Sequence, residues 1–263
     1  YFNPSNQVGS QRKFDEIKTD ITCNQARLLG YFLAEGNYSK HPITKEHTGI
    51  NLTFSVKERE TLVKDAEYIC NSIGIPIIQI EERKSSLRLR SSNKVEFKEI
   101  INWFRYNAGE YSDRKKLSSD VMRWPLNLKK ELIKGLFRGD GCHQIKTTRW
   151  NQHRVNYITT SEVLAYQVEL ILAQIGFPVN WSIINDKRKN RKTCYSLSVY
   201  GKFAIALEKL IWEDNCIFDS IESKKFNGQK AWVDDDYVYI MVKSVNKIKN
   251  NKKVINLTVE ESH

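Results

Sequence analysis

The chain repeats one succession of sequence features, and this internal repeat constrains its fold more than any other property. A glycine, an acid five residues later and a second glycine directly after the acid occur in residues 28–36 and again in 133–141. In each copy an alternating run follows, then an amphipathic stretch, then a turn that contains Gly and Pro, at 73–76 and at 175–178. Repeated spacing of this kind indicates one supersecondary unit that occurs twice.

Within each copy, runs of period 2 and runs of period 3.6 follow one another in a fixed order. This order predicts helix, two strands, helix, two strands, helix in both halves, and therefore an α+β fold. We divide the chain into an irregular N-terminal segment (1–20), repeat 1 (21–118), repeat 2 (119–231) and a C-terminal segment with two strands (232–263).

The glycines of the duplicated motif predict how the two halves meet. Gly30 and Gly135 fall inside predicted helices, where glycine costs about 1 kcal/mol relative to alanine and usually has a packing reason. A glycine on a helix face lets a second helix approach until the backbones nearly touch. We expect the two motif helices to pack on each other, and Gly36 and Gly141 to end them in the left-handed conformation.

This packing would bring Glu35 and Asp140 together at the C-terminal ends of the two helices. The helix dipoles and the like charges oppose ionisation there, and a divalent cation would relieve both effects. Carboxylates and backbone carbonyls are the ligands that Mg²⁺ prefers. The sequence predicts a metal site made of the Glu35 and Asp140 carboxylates and the Ala34 and Gly139 carbonyls, suited to Mg²⁺ with Mn²⁺ as a substitute. Such ions can promote phosphodiester displacement.

The composition favours a polyanionic partner and excludes other classes. The chain has 42 Lys and Arg against 31 Asp and Glu, a net charge of +11. Clustered cations gain affinity for nucleic acids by displacing phosphate counterions. No apolar run is long enough to span a membrane. The five cysteines have neither the even number nor the spacing of a disulfide framework or a zinc site.

The start of the sequence as given predicts no targeting signal. The sequence begins at Tyr1 without an apolar signal region. We therefore expect a piece of a longer product that resides in the cytoplasm or wherever its host's DNA lies and is not secreted.

On these residues the chain resembles the LAGLIDADG homing endonucleases, in the single-chain form that carries two motifs. Repeat 1 keeps most of the motif with Glu35 for the usual Asp, whereas repeat 2 departs from it at Arg138 and Gly139. The resemblance implies two pseudosymmetric αββαββα repeats whose antiparallel sheets form a saddle over double-stranded DNA. It implies a monomer that makes metal-dependent double-strand breaks at a long asymmetric site.

The resemblance also implies roles for individual residues. Glu35 and Asp140 would be the catalytic acids. A basic residue late in each half would assist the scissile phosphate or its water; by position these are Lys115 and Lys224, with Lys116 and Lys225 as alternatives in register. A polar residue early in the helix after the second strand would join the water network; these positions are Glu58 and either Thr160 or Ser161.

DNA reading would fall to the sheets and their loops, where Arg or Lys suits guanine and Asn or Gln suits adenine. Strand alternation places Arg88 and Arg90 on one face. The candidate DNA-binding residues are Lys40, Lys45, Arg83, Arg88, Arg90, Lys146, Arg149, Gln152, Arg154, Lys187, Arg188, Lys189, Arg191 and Lys192.

The last ten residues, 254–263, resemble the penultimate sequence block of an intein, the self-splicing element in which LAGLIDADG endonucleases are often embedded. The N-terminal nucleophile block of an intein is missing from the sequence, so splicing by this chain is not expected. Two alternatives to the endonuclease remain open: a LAGLIDADG protein that binds nucleic acid without cleavage, as a regulator or maturase, and a decayed intein endonuclease.

Overall fold

The fold follows the predicted order of elements in both repeats. The computed structural model describes residues 19–91, 98–146, 152–185, 192–212, 231–233 and 238–240. Repeat 1 contains α1 (Cys23–Glu35), β1 (Gly36–Lys40), β2 (His47–Ser55), α2 (Lys64–Ser72), β3 (Ile77–Glu82), β4 (Ser86–Ser91) and α3 (Lys98–Ala108). After the short α4 (Ser119–Met122), repeat 2 contains α5 (Leu126–Asp140), β5 (Gly141–Lys146), β6 (Gln152–Thr159), α6 (Glu162–Gln174), β7 (Asn180–Ile184), β8 (Cys194–Tyr200) and α7 (Gly201–Trp212).

Each repeat builds one four-stranded antiparallel sheet, and the two sheets have equivalent strand orders. The orders are β1-β2-β4-β3 and β5-β6-β8-β7. Alternation gives each sheet a core face and an open face: Ile50, Leu52 and Phe54 of β2 are buried in the core, and Asn51 and Thr53 point to the opposite side. The predicted α+β class is confirmed.

Local sequence explains where α1 begins. Thr22 accepts a hydrogen bond from the Gln25 backbone N–H, and the Gln25 side chain accepts one from the Thr22 N–H at 2.8 Å. This reciprocal capping box satisfies two of the backbone donors that a helix start leaves without partners. The cap fixes the start of the helix that carries Glu35.

The two motif helices pack backbone against backbone, as their glycines predict. A Cβ atom at Gly30 would lie 2.2 Å from the Leu132 carbonyl oxygen, and one at Gly135 would lie 2.1 Å from the Arg27 carbonyl oxygen. Real Cβ atoms do not approach backbone so closely. The α1–α5 contact is therefore possible only with glycine at both positions.

The predicted left-handed ends of these helices were wrong. Gly36 and Gly141 have extended backbones, with φ of −89° and −79°, and the chain passes directly from each helix into β1 or β5. Glycine is required for space: a Cβ would lie 2.4 Å from the carbonyl oxygen of Phe32 or of Phe137, respectively.

A polar cluster of side chains also joins the repeats. The Asp65 carboxylate accepts hydrogen bonds from Tyr31 Oη at 2.7 Å and Arg138 Nη1 at 3.1 Å, and pairs with Arg27 at 3.3 Å. Arg27 also donates from Nε to Glu131 at 2.6 Å. Because Arg27 and Asp65 belong to repeat 1 and Arg138 and Glu131 to repeat 2, charge pairing reinforces the helix contact.

The remaining described strands form a separate short hairpin. β9 (Ala231–Val233) pairs antiparallel with β10 (Val238–Ile240). The rest of the predicted C-terminal segment, including the intein-like block, and nearly all of the N-terminal segment lie outside the described residues. Within the part of the chain that is described, no helix combines the length and apolar character needed to cross a bilayer.

Candidate functional site

The two acids of the repeated motif occupy equivalent positions at the helix interface. Glu35 is the last residue of α1, and Asp140 is the last residue of α5. The residues just before them are small: a Cβ at Gly139 would lie 2.5 Å from Ala34 Cβ and 3.2 Å from Glu35 Cγ. Small residues at this crossing bring Glu35 next to the end of α5, where Asp140 follows.

The surroundings of Glu35 and Asp140 raise the pKa values of both carboxyls towards neutral pH. Burial, then the charges of Asp140 and Glu58, raise the pKa of Glu35 to about 7, and Lys115 opposes this rise. Partial desolvation raises the pKa of Asp140 to about 6, again against Lys115, although the Asp140 side chain remains accessible to solvent. Acid pairs with raised pKa values recur at catalytic and ion-binding sites.

The donor set at this point suits a hard divalent cation, because carboxylate oxygens are the protein ligands that Mg²⁺ and Mn²⁺ accept. No group of three or more His, Cys, Asp or Glu side chains that could hold a metal occurs among the described residues. Glu35 and Asp140 would therefore need further oxygen ligands, from backbone carbonyls, water or a substrate phosphate. The predicted role of the Ala34 and Gly139 carbonyls stays a prediction.

Lys115 lies inside the site, but its ammonium group faces the backbone of α1. Nζ donates to the carbonyl oxygens of Phe32 at 3.2 Å, Leu33 at 2.7 Å and Gly36 at 3.2 Å. The side chain is only 9% exposed, and burial lowers its pKa to about 8 against the raising effect of Asp140 and Glu35. An ammonium group has three N–H donors, so these bonds account for all of them.

Lys115 is thus a cap on the helix that carries Glu35. Its neighbour in register, Lys116, is exposed to solvent. The equivalent candidates of repeat 2, Lys224 and Lys225, lie outside the described residues.

Two of the predicted water-network residues have structural partners. Glu58 accepts a hydrogen bond from the Ser55 N–H at 2.8 Å, although its charge still acts on Glu35. Ser161 caps α6 and donates from Oγ to the Lys115 carbonyl oxygen at 2.6 Å. Thr160 precedes this cap and is partly exposed. The network itself stays a prediction.

The open face of the first sheet is polar across its strands. Arg90 pairs in register with Asn51, and Arg88 pairs with Thr53, so both arginines share the open face as predicted. The amides and hydroxyls beside these arginines were not predicted from the sequence. Asn51 Nδ2 donates to Asn37 Oδ1 and Ser39 Oγ, each at 2.9 Å. The alternation of polar residues with Ile50, Leu52 and Phe54 was the signal that could have found them.

Other candidate DNA-binding cations lie at strand ends and turns. Lys40 ends β1 and pairs with Glu110 at 2.5 Å, and Lys45 lies in the following turn. Arg83 lies in the β3–β4 turn and bonds to Glu81, and Lys192 pairs with Asp113 at 2.8 Å. Arg154 lies on β6. The side chains of the remaining candidates are outside the described residues: Lys146, Arg149, Gln152, Lys187, Arg188, Lys189 and Arg191.

A cleft next to Glu35 was not foreseen. It has a volume of about 350 Å³, and its walls include Glu35, Lys115 and residues 109–112. Tyr111 in this wall has a positive φ of 64° and receives a hydrogen bond from Lys40 Nζ at 3.2 Å. No periodic pattern in the sequence marks this loop, so only the tertiary structure reveals it.

Known protein families include one with this arrangement of helices and sheets. Residues 127–211 match the family model described as a LAGLIDADG-like domain. This match covers about a third of the chain. The homing endonuclease I-DmoI, solved in complex with DNA and Mn, superposes with a TM-score of 0.51 at 16% identity, over 73% of this chain and 98% of that chain. The match covers the two-domain LAGLIDADG fold.

This chain matches a part of each of two curated relatives that are much longer proteins. The ATP-dependent DNA helicase Hel308 of Thermococcus kodakarensis is 30% identical over 91% of this chain, which spans 20% of the helicase. An iron-sulfur cluster assembly SufBD family protein of Mycobacterium tuberculosis is 33% identical over 60% of this chain, which spans 18% of that protein.

Proposed function

We propose that this chain is a site-specific DNA endonuclease that makes metal-dependent double-strand breaks by phosphodiester hydrolysis. One observation carries the proposal: two carboxylates meet at the ends of two tightly packed helices, and each helix leads directly into a sheet with a polar open face. The LAGLIDADG fold and its likeness to a homing endonuclease solved with DNA support this function.

The acids would hold divalent cations, with Mg²⁺ as the expected ion and Mn²⁺ as a substitute. When bound, such ions lower the pKa of water and stabilise charge on a phosphate. Glu35 and Asp140 would supply carboxylate oxygens on the two sides of the helix interface. Their raised pKa values mean that a cation must compete with protons near neutral pH.

Lys115 would act as a positioning residue rather than a phosphate ligand. Its bonds to three carbonyls fix the last turn of α1 and the start of β1. Its positive charge also lowers the pKa of both acids, which favours their ionised form. One lysine would thus fix the position of Glu35 and keep it available to a cation.

Double-stranded DNA would lie along the open faces of the sheets. The net charge of +11 favours this partner, and binding should weaken steeply with salt because several phosphates are neutralised. One chain supplies both repeats, and the repeats differ in sequence. We therefore propose a monomer that recognises an asymmetric site and resides where the host's DNA lies.

We further propose that the chain is part of a mobile insert of the intein type. The same sequence matches about a fifth of a helicase and about a fifth of an iron-sulfur cluster assembly protein. These named activities have nothing in common, so an element inserted into unrelated hosts accounts for both matches. The intein-like block at 254–263 supports this origin.

The proposal is tested by incubating the chain with a DNA library in Mg²⁺, in Ca²⁺ and in EDTA, and then sequencing the ends. We expect discrete double-strand ends in Mg²⁺ and none in EDTA. Binding in Ca²⁺ without any cut in Mg²⁺ or Mn²⁺ would instead support a non-cleaving nucleic-acid-binding protein or a decayed enzyme.

A further inference from the structure

Arg154 lies on a central strand of the second sheet, on its open face. It lies on the central strand β6 and pairs in register with Tyr200 of β8 and Gln144 of β5. Side chains alternate along a strand, and Val155 and Tyr157 of β6 are buried in the core, so Arg154 faces the opposite side. Arg154 therefore projects from a strand of the sheet rather than from a connecting loop.

Neighbouring side chains hold one edge of the Arg154 guanidinium. Nε donates to Ser198 Oγ at 3.1 Å, and Nη2 donates to Asn156 Oδ1 at 3.0 Å. The guanidinium carbon lies 5.7 Å from the centre of the Tyr200 ring. Two directional bonds and a ring contact fix the plane of the group.

The residues beneath Arg154 are themselves fixed. Asn156 Oδ1 also accepts hydrogen bonds from Ser196 Oγ and Ser198 Oγ, each at 2.8 Å. Asn156, Ser196 and Ser198 are all buried. Three donors around one amide oxygen determine the orientation of the amide, so the support under the guanidinium has a single arrangement.

The outer edge of the guanidinium keeps its hydrogen-bonding capacity. The group has five N–H donors, and the two bonds to Ser198 and Asn156 use two of them. Within the described ranges, no carboxylate forms an ion pair with Arg154. Arg88 on the first sheet differs, because it lies 3.7 Å from the Glu81 carboxylate. Among the residues that the structure describes, no carboxylate neutralises the planar fork of donors that Arg154 presents on the open face.

We propose that Arg154 reads a guanine in the target, donating from its outer edge to O6 and N7 in the major groove. The inference rests on the proposed function, because it requires that duplex DNA lies on the open faces. A bidentate contact needs a guanidinium held in one plane, and prior fixation lowers the entropy lost on binding. The major groove admits β-strands, and Arg to guanine is its commonest specific contact.

The test is selection of bound duplexes from a randomised library in Ca²⁺, by the wild-type chain and by Arg154→Lys. Lysine keeps the charge but lacks the planar fork. We expect the variant to lose about 10- to 100-fold of its discrimination for guanine at one base pair, with preferences at other positions unchanged. The salt dependence of binding should stay the same, because the net charge does not change.

Two further variants distinguish base recognition by Arg154 from effects on folding and from the loss of a positive charge. Ser198→Ala removes one support, and we expect a loss of about 3- to 10-fold in discrimination at the same base pair. Arg123→Met removes a cation directly after α4 that pairs with Asp120, and we expect no change of base preference at any position. Thermal unfolding of each variant checks that the sheet is intact.

The outcomes distinguish this inference from the proposed function. If the wild-type chain selects sequences but Arg154→Lys weakens all of them equally, Arg154 contacts phosphate and the inference fails alone. An unchanged base preference in Arg154→Lys would refute it as well. If the wild-type chain binds no duplex, the proposed function and the inference fall together.

Discussion

Alanine in place of Gly30 or Gly135 should destabilise the protein, although the same change inside most helices is stabilising. Alanine gains about 1 kcal/mol over glycine from helix propensity alone. Here the new Cβ atoms would lie 2.2 Å and 2.1 Å from the backbone carbonyl oxygens of Leu132 and Arg27. Backbone cannot rotate away as a side chain can, so α1 and α5 must separate by about 1 Å.

Overpacking of a dense interface typically costs up to about 3 kcal/mol, and loss of the surrounding contacts adds to it. After the gain in propensity is subtracted, each variant should lose about 2 kcal/mol of unfolding free energy or more. Urea denaturation followed by circular dichroism measures this loss.

A matched control is Asn102→Ala, because Asn102 is an exposed residue of α3. This variant should gain a few tenths of a kcal/mol from propensity. Stability equal to or above wild type in Gly30→Ala or Gly135→Ala would refute the close helix contact, because the calculated overlap would then have no energetic effect.

Three further predictions follow from the charged groups of the site and of the repeat interface. Without divalent cations, the stability of Glu35→Gln relative to wild type should rise by about 2 kcal/mol as the pH increases from about 4 to about 8. A carboxyl whose pKa the fold raises from 4.5 to about 7 stabilises the folded state below its ordinary pKa and loses that contribution as the pH rises through 7; a constant stability difference across this range would contradict the raised pKa. Lys115→Met removes the charge that lowers the pKa of Glu35, so the pH profile of DNA cleavage should shift upward, and an unchanged profile would exclude this role. Asp65→Asn should cost about 2 kcal/mol in urea denaturation, because Arg27 and Arg138 lose their shared carboxylate; the exposed-site control Asp20→Asn should be neutral, and equal stability of the two variants would contradict the role of the cluster in joining the repeats.

Short-range features of the sequence predicted the elements and the helix contact. The positions of Gly30 and Gly135 within their repeats predicted close packing, because glycine inside a helix needs a reason that only a neighbouring backbone supplies. The alternating run after the first motif predicted a strand, which is β2. Both signals depend on residues a few positions apart.

Features that depend on contacts distant in sequence were missed or assigned a different role. The ends of the motif helices were predicted as left-handed, whereas crowding by Phe32 and Phe137 selects glycine there in an extended conformation. Lys115 was predicted from its position to assist the phosphate, but its bonds to α1 depend on how residues 109–117 fold back on that helix. The link from Asp65 to Arg138 joins two repeats, and no spacing within one repeat could indicate it.

The most direct test of the central claim compares the wild-type chain with Glu35→Gln and Asp140→Asn on a duplex selected from the library. Binding in Ca²⁺ and cleavage in Mg²⁺ are measured on the same substrate, with Glu99→Gln as an exposed carboxyl control. The proposed function predicts that both acid variants bind DNA, that neither makes double-strand breaks, and that the control cleaves as the wild-type chain does. Wild-type cleavage by Glu35→Gln or Asp140→Asn would contradict the assignment of the paired carboxylates as the catalytic site.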